Sequence, residues 1–299
     1  SASMRSILPD KLNILVAYPY FDKKTYSYLM EKDPSSFRLI VDSGAFTAWN
    51  TGAEVTMEGY TKFLKKMPSH WDWKAVQLDV YGDPKATYEN WLRMLDMGWD
   101  EIMPVFTRGD TLDRLEEFYA ASDYIMFGGI AFGGENKNYI KFFSEANKGR
   151  KVHWLGFTSM PFIKHYKPES VDSSSVTSAQ RYGSIAYYRG KGMLKVLDKK
   201  KDFATRPPLE FLKACEDRGF TMKELKQLGQ SEAWVGNVRI PGGPTLNGFA
   251  SFVSYTHHVW RGIDVERNLG TKMYLAFAME SAVAGAFDAY DFMKSRGAV

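Results

Sequence analysis

The sequence predicts an α/β protein built as a (β/α)8 TIM-type barrel with a helical C-terminal extension. Three observations predict it. Short apolar runs recur at roughly 20–35-residue intervals with helical segments between them, which is the βα rhythm of a parallel sheet. Seven or eight such units favour a closed barrel over an open, doubly wound sheet. No Gly-x-Gly-x-x-Gly follows the first strand and no Walker loop is present, which argues against dinucleotide-binding and P-loop folds.

The elements follow in order. Asn13 to Tyr18 reads as the first strand and Thr25 to Lys32 as a short helix. Leu39-Ile40-Val41-Asp42 ends the second strand, with two β-branched residues before the carboxylate. Ser43, Gly44 and an aromatic-rich segment follow. Thr56 to Lys66 has helical spacing and a Thr start. Lys74 to Val80 is the third strand, again delivering an Asp, Asp79. Asp83-Pro84 opens a helix to Met97, with Pro in its first turn and Asp83 as its cap. Glu101 to Phe106 is the fourth strand, Leu112 to Ala121 a helix, and Tyr124 to Phe127 the fifth strand. Asn138 to Ala146 is a helix, Lys151 to Leu155 the sixth strand, and Glu169 to Asp172 a brief seventh with a third terminal Asp. Either Ser184–Tyr188 or Met193–Leu197 supplies the eighth. From about residue 205 the rhythm gives way to closing helices and an extension: Pro207 to Arg218, Thr221 to Leu228, and a long, mostly helical stretch from Asn268 to Arg296.

The chain has 299 residues, and we take 4–299 as one domain. Ser1-Ala2-Ser3 precedes Met4 and reads as an expression scar. A hydrophobic content of 44% and an aromatic content of 15% supply a sizeable core and exclude a disordered chain. No signal peptide is expected. The longest apolar tract, Met273 to Tyr290, is broken by Glu280 and Asp288 and reads as a core helix, so no membrane partner is expected. Cys215 is the only cysteine, which excludes an intrachain disulfide and a multi-cysteine zinc site and fits a reducing cytoplasm. A net charge of +4 permits a polyanionic partner without demanding one.

Asp42, Asp79 and Asp172 thus stand at the carboxyl ends of three strands, where barrel enzymes carry their active sites. Two carboxylates facing one another suit displacement at a sugar carbon. One attacks C1′ and forms a covalent intermediate; the other handles the proton.

Five segments in series sharpen this reading. Asp42-Ser43-Gly44-Ala45-Phe46-Thr47, the carboxylate Asp79, Gly128-Gly129-Ile130-Ala131-Phe132-Gly133, His153-Trp154-Leu155-Gly156 and Val171-Asp172-Ser173-Ser174-Ser175 occur in that order. Over residues 13–190 the chain resembles the tRNA-guanine transglycosylase superfamily. The resemblance implies Asp172 as the nucleophile and Asp42 as the general acid/base that assists guanine departure and deprotonates the incoming base. It implies Asp79 on the N1–H and exocyclic amine of a guanine-type edge, where a carboxylate accepts two hydrogen bonds. Ser43 and Gly44 belong to the same substrate-binding segment. Gly128 and Gly129 would let the backbone approach the base, and Phe46, Phe106 or Phe132 would sandwich the heterocycle.

Three departures qualify the resemblance. Thr107 stands where the family has its base-reading Gln, so base recognition is altered. Ala45 replaces a second glycine. The cysteines of the tRNA enzymes' zinc site are absent. A short chain without that element resembles the phage-type enzymes that insert 7-deazaguanines into DNA. The segment Gly82-Asp83-Pro84 with Thr87-Tyr88 and Asn90-Trp91 points the same way. The resemblance therefore implies exchange of guanine in DNA for a cyano or aminomethyl 7-deazaguanine, in the cytoplasm (the host's if phage-encoded), with no metal or other cofactor. The alternatives are the same exchange on tRNA and a catalytically silent nucleic-acid-binding member.

The remaining residues carry plainer readings. Arg181, Arg189, Lys191, Lys195 and Arg206 form a candidate phosphate-facing rim. His153 reads as packed or hydrogen-bonded within its strand. His257-His258 lacks partners at metal-ligand spacing and reads as structural or surface. Trp49 and Trp91 read as core.

Overall fold

Apolar, β-branched runs become strands, and a capped helix follows most of them. In a computed structural model, residues 11–130, 136–177, 184–198, 207–229 and 246–299 are described. β1 (Leu12–Ala17) and β2 (Phe37–Asp42) pair in parallel from Leu12–Phe37 to Ala17–Asp42. β3 (Trp73–Ala75), β4 (Val105–Phe106), β5 (Tyr124–Phe127), β6 (Lys151–Trp154) and β7 (Ser170–Ser173) follow. Between them lie α1 (Lys23–Met30), α2 (Ala45–Thr51), α3 (Met57–Leu64), α4 (Pro84–Asp96), α5 (Leu112–Ala121), α6 (Asn136–Asn147) and α7 (Met160–Tyr166). Asp22, Thr56, Asp83 and Thr111 each accept a backbone N–H from the residue three positions on, so α1, α3, α4 and α5 start where a side chain satisfies an orphan donor.

The eighth strand is not where the sequence places it. The two candidate segments pair with each other as an antiparallel hairpin, β8 (Ser184–Tyr188) and β9 (Leu194–Asp198). Gly190, Lys191 and Gly192 all have positive φ between them, which turns the chain back too tightly for a parallel crossover. β9 is also largely exposed, unlike a strand covered on both faces. The missing strand is β10 (Lys272–Phe277), which inserts between β1 and β7 and pairs in parallel with both. The stretch 268–296 is mostly helical but is interrupted by this strand, so the Met273–Tyr290 tract is not one core helix: it is a buried strand followed by a helix. Apolar runs do not distinguish the two by periodicity.

The resulting sheet has the order β3-β2-β1-β10-β7-β6-β5-β4 and is parallel throughout. It is curled, and its two ends meet at one bridge, Val76 with Met103. Met103 N–H donates to Ala75 O at 2.9 Å and Gln77 N–H to Met103 O at 3.0 Å. The arrangement is TIM-like, without an unbroken ladder around the ring. Leu15, Ile40, Val76, Met103, Val105, Tyr124, Met126 and Tyr274 pack together from alternate strand positions. The opposite phase, including Phe106 and Phe127, packs against Phe143 of α6.

The chain divides into two compact units. One comprises Ser1–Ser173 with Glu266–Met279, and the other Ser174–Val265 with Glu280–Val299. The second contains the hairpin, α8 (Leu209–Glu216), α9 (Met222–Leu225), most of α10 (Leu246–Leu269), and α11 (Glu280–Ser295). Its core gathers Ile185, Tyr187, Phe211, Leu212, Phe220, Leu225 and Val253. Gly285 lets α11 approach Tyr255: a Cβ there would lie 2.8 Å from its ring. His257 and His258 are buried in this unit, and burial pushes both imidazoles down to about 3. His257 accepts the Tyr188 N–H and lies 3.3 Å from Cys215 Sγ, a structural role. No helix among the described residues is long and apolar enough to cross a membrane.

Candidate active site

β2, β3 and β7 end on the same side of the curled sheet, and that shared end brings the three aspartates together. Asp42, Asp79 and Asp172 line one pocket of about 190 Å³. Leu15, Val105 and Leu155 form its floor; Thr107, Gly128, Gly129 and Gly156 complete the wall, with Phe46 and Tyr81 at its edge.

Each carboxylate is held differently. Asp42 closes β2, and its Oδ2 accepts the Gly44 N–H at 3.1 Å. Gly44 sits at φ +80, and a Cβ there would fall 2.4 Å from Pro19 Cδ, so only glycine makes this turn into α2. Burial pushes the Asp42 carboxyl up to about 7, reinforced by the nearby Asp79 and Asp172 charges and opposed by the Gly44 and Ser43 backbone N–H groups. Asp79 stands four residues past β3. Its Oδ1 accepts the Ser43 hydroxyl at 2.6 Å. Burial raises its pKa, and the Ser43 hydrogen bond works against that rise.

Asp172 lies within β7. Its Oδ1 accepts the Gly156 N–H at 2.8 Å and meets His153 Nε2 at 2.9 Å. His153 Nδ1 lies 2.6 Å from Ser170 Oγ, which in turn bonds Tyr124 Oη. The arrangement places one carboxyl that holds its proton near neutrality beside a carboxylate fixed by two N–H groups on a single oxygen. Such a pair can deliver a proton and attack a carbon in the same pocket.

No family model matches this chain, and neither a curated protein nor a solved structure gives a significant match.

The loop after Asp79 is built by residues that the sequence reading does not single out for this role. Gln77 is buried; its Nε2 donates to Thr87 O at 2.6 Å and its Oε1 accepts the Val105 N–H at 2.8 Å. Thr87 Oγ1 accepts the Val80 N–H at 2.9 Å. Gly129 has φ +73, and a Cβ there would meet Thr107 Oγ1 at 3.0 Å. Arg108 donates from Nε to Gly129 O at 2.9 Å and lies over the Tyr139 ring, which fixes that loop.

The other candidates divide. Ser43 and Gly44 support the carboxylates and are not lining residues. Phe106 does not reach the pocket: Val105 and Thr107 face it, so the alternation of the strand turns Phe106 toward Phe127 and Phe143. Trp91 is core, but Trp49 is not. Trp49 is 63% exposed and clusters with Phe46 and Tyr81, with ring centroids 4.8 Å from Tyr81. Arg189 and Lys195 share the Glu210 carboxylate at 2.6 and 3.1 Å within the second unit, where Lys191 occupies a left-handed turn. Arg181, Arg206, Phe132 and Gly133 lie outside the described residues. His153 is packed and hydrogen-bonded as read, but its partner is Asp172, which strand register alone brings near: His153 pairs with Ser170, two residues before Asp172.

Proposed function

We propose that this chain is a base-exchange transglycosylase that replaces guanine in DNA by a 7-deazaguanine through a glycosyl-aspartate intermediate. One observation carries the chemistry. Three strand-end aspartates converge on one pocket, with Asp172 pinned through Oδ1 and Asp42 protonated up to about pH 7. Asp172 attacks C1′; the C1′–N9 bond breaks, and Asp42 delivers its proton to the departing base. The Asp42 carboxylate then takes a proton from the incoming base, whose N9 displaces Asp172 from C1′. Two inversions give net retention, and the proton count closes without a further reactant.

Asp79, oriented by Ser43, is the acceptor for the guanine edge. The Gly128-Gly129 wall and the exposed Phe46–Trp49–Tyr81 cluster supply flat surfaces for a heterocycle. The choice of a 7-deazaguanine and of DNA rests on the sequence motifs. A guanine in duplex DNA must be flipped out, or lie in a single strand, to expose C1′. The meeting of the sheet ends at Val76–Met103 supports reading the sheet as a (β/α)8 barrel.

The test is release of labelled guanine from double-stranded DNA, single-stranded DNA and unmodified tRNA, with a 7-deazaguanine supplied and Asp172→Ala as control. Release from DNA alone, abolished in the variant, is the expected result. Release from tRNA alone keeps the chemistry and overturns the polymer. Release from none of them overturns the enzyme reading in favour of a silent nucleic-acid-binding protein.

A further inference from the structure

A line of polar groups crosses the apolar layer inside the sheet. Tyr124 on β5, Ser170 on β7 and His153 on β6 are all buried and follow one another by hydrogen bonds to Asp172. The line spans the height of the sheet. Asp172 opens on the pocket at the carboxyl ends of the strands. Tyr124 lines a second cavity, bordered by Arg38, Asp72, Lys74, Glu169 and Lys272, at their amino ends.

Polar groups in such an interior are costly unless each is satisfied, and chains of them polarise one another. With a neutral imidazole their hydrogens have one consistent order. A carboxylate only accepts, so His153 carries its hydrogen on Nε2 and Nδ1 must accept. The Ser170 hydroxyl then spends its one hydrogen on Nδ1, and its oxygen accepts from Tyr124. Burial raises the Tyr124 phenol, which keeps it a donor. The same residues could serve only to satisfy one another inside the sheet. Two facts go beyond that: the line terminates on a pocket carboxylate, and the His153 and Gly156 donors fall on the same oxygen.

We propose that Tyr124, Ser170 and His153 form a one-way hydrogen-bond chain that positions Asp172 for attack, fixing Oδ1 and leaving Oδ2 outside both hydrogen bonds. His153 is thus a positioning residue acting through Asp172. The titratable groups around this chain are Tyr274 of β10, whose ring meets the His153 edge at 5.7 Å, Asp42 and Asp79 across the pocket, and the charged residues of the second cavity beside Tyr124, Arg38 and Glu169 acting on it directly. The kinetic role rests on the transglycosylase reading; the direction of the chain does not.

The test therefore has two arms. In the first, nitrogen-15 NMR of the histidine side chains reads the His153 tautomer in the whole protein, assigned by loss of its signals in His153→Gln. The protein has five histidines, which keeps the spectrum tractable. The chain requires hydrogen on Nε2 with Nδ1 accepting; hydrogen on Nδ1, whether alone or together with Nε2, overturns it. In the second, guanine release is measured for His153→Gln, His153→Asn and His153→Leu, with thermal unfolding alongside. The Gln amide nitrogen reaches the position of Nε2, and the shorter Asn amide does not.

The expected result is a kcat loss on the order of 10²-fold for the Asn and Leu variants, the scale seen when one fixed donor is removed, at little changed KM. The Gln variant should recover most of it. Equal losses in all three, tracking their melting temperatures, would mean that His153 only packs. If the wild type releases no guanine from any polymer, the transglycosylase reading falls and the kinetic role falls with it, while the NMR arm still decides the chain.

Discussion

Asp42→Asn should make the protein more stable at neutral and alkaline pH while removing its acid. Asp42 ordinarily loses its proton near 3.8; in the fold, burial and then the Asp79 and Asp172 charges hold it until about 7. Between those values the folded state keeps a proton that the unfolded chain has released. Stability from this group is therefore full below about pH 4, declines as the pH rises, and is gone above about 7. At about 1.4 kcal/mol per pH unit, the interval corresponds to roughly 4 kcal/mol. That is a large part of the roughly 5–15 kcal/mol that holds a typical domain together. The Asn variant keeps an oxygen to accept the Gly44 N–H and never ionises. Urea unfolding of both proteins from about pH 5 to pH 8 separates the two cases. The variant's stability minus the wild type's should grow across this range, because the two proteins share the other titrating groups, His257 and His258 among them, and only the wild type has Asp42 to ionise. Parallel curves would refute the claim that Asp42 is held protonated.

Two further substitutions test the scaffold. Gly44→Ala places a Cβ at 2.4 Å from Pro19 Cδ in a left-handed turn that alone costs about 1–2 kcal/mol, so the urea midpoint should fall clearly; an unchanged midpoint would show that the turn is not strained. Gln77→Leu strands the buried Val105 N–H, at about 1–3 kcal/mol, and removes a second bond to the Thr87 carbonyl, which keeps its place in the α4 ladder, so the midpoint should fall by that amount or somewhat more in the same assay.

What was legible in the sequence depended on how local its cause was. The strand end at Asp42 was readable because an apolar run stops at a carboxylate within a few residues. Helix starts at Thr56 and Asp83 were readable because the cap and the backbone N–H it accepts are three residues apart. β10 was not, because its pairing with β1 and β7 is set by residues far away in the chain, and an apolar run at that point fits a helix as well. Phe106 was misplaced because the strand was recognised without its phase. Trp49 was taken for core on its chemistry, although indoles are seldom fully buried even in cores. The partnership of His153 with Asp172 spans two adjacent strands, and nothing in either strand alone announces it.

β10 also sets the order in which this protein can be assembled. During synthesis the ribosome delivers seven strands of the sheet and then the whole of residues 174–265 before Lys272 emerges. Until then β1 and β7 lack the strand that joins them, and each presents an unpaired edge. Open edges of this kind pair readily with other chains. The first unit thus cannot finish folding until residues 174–265 of the second have been made, whereas an amino-terminal unit usually folds first. A nascent chain interrupted between Ser173 and Lys272 carries both edges open.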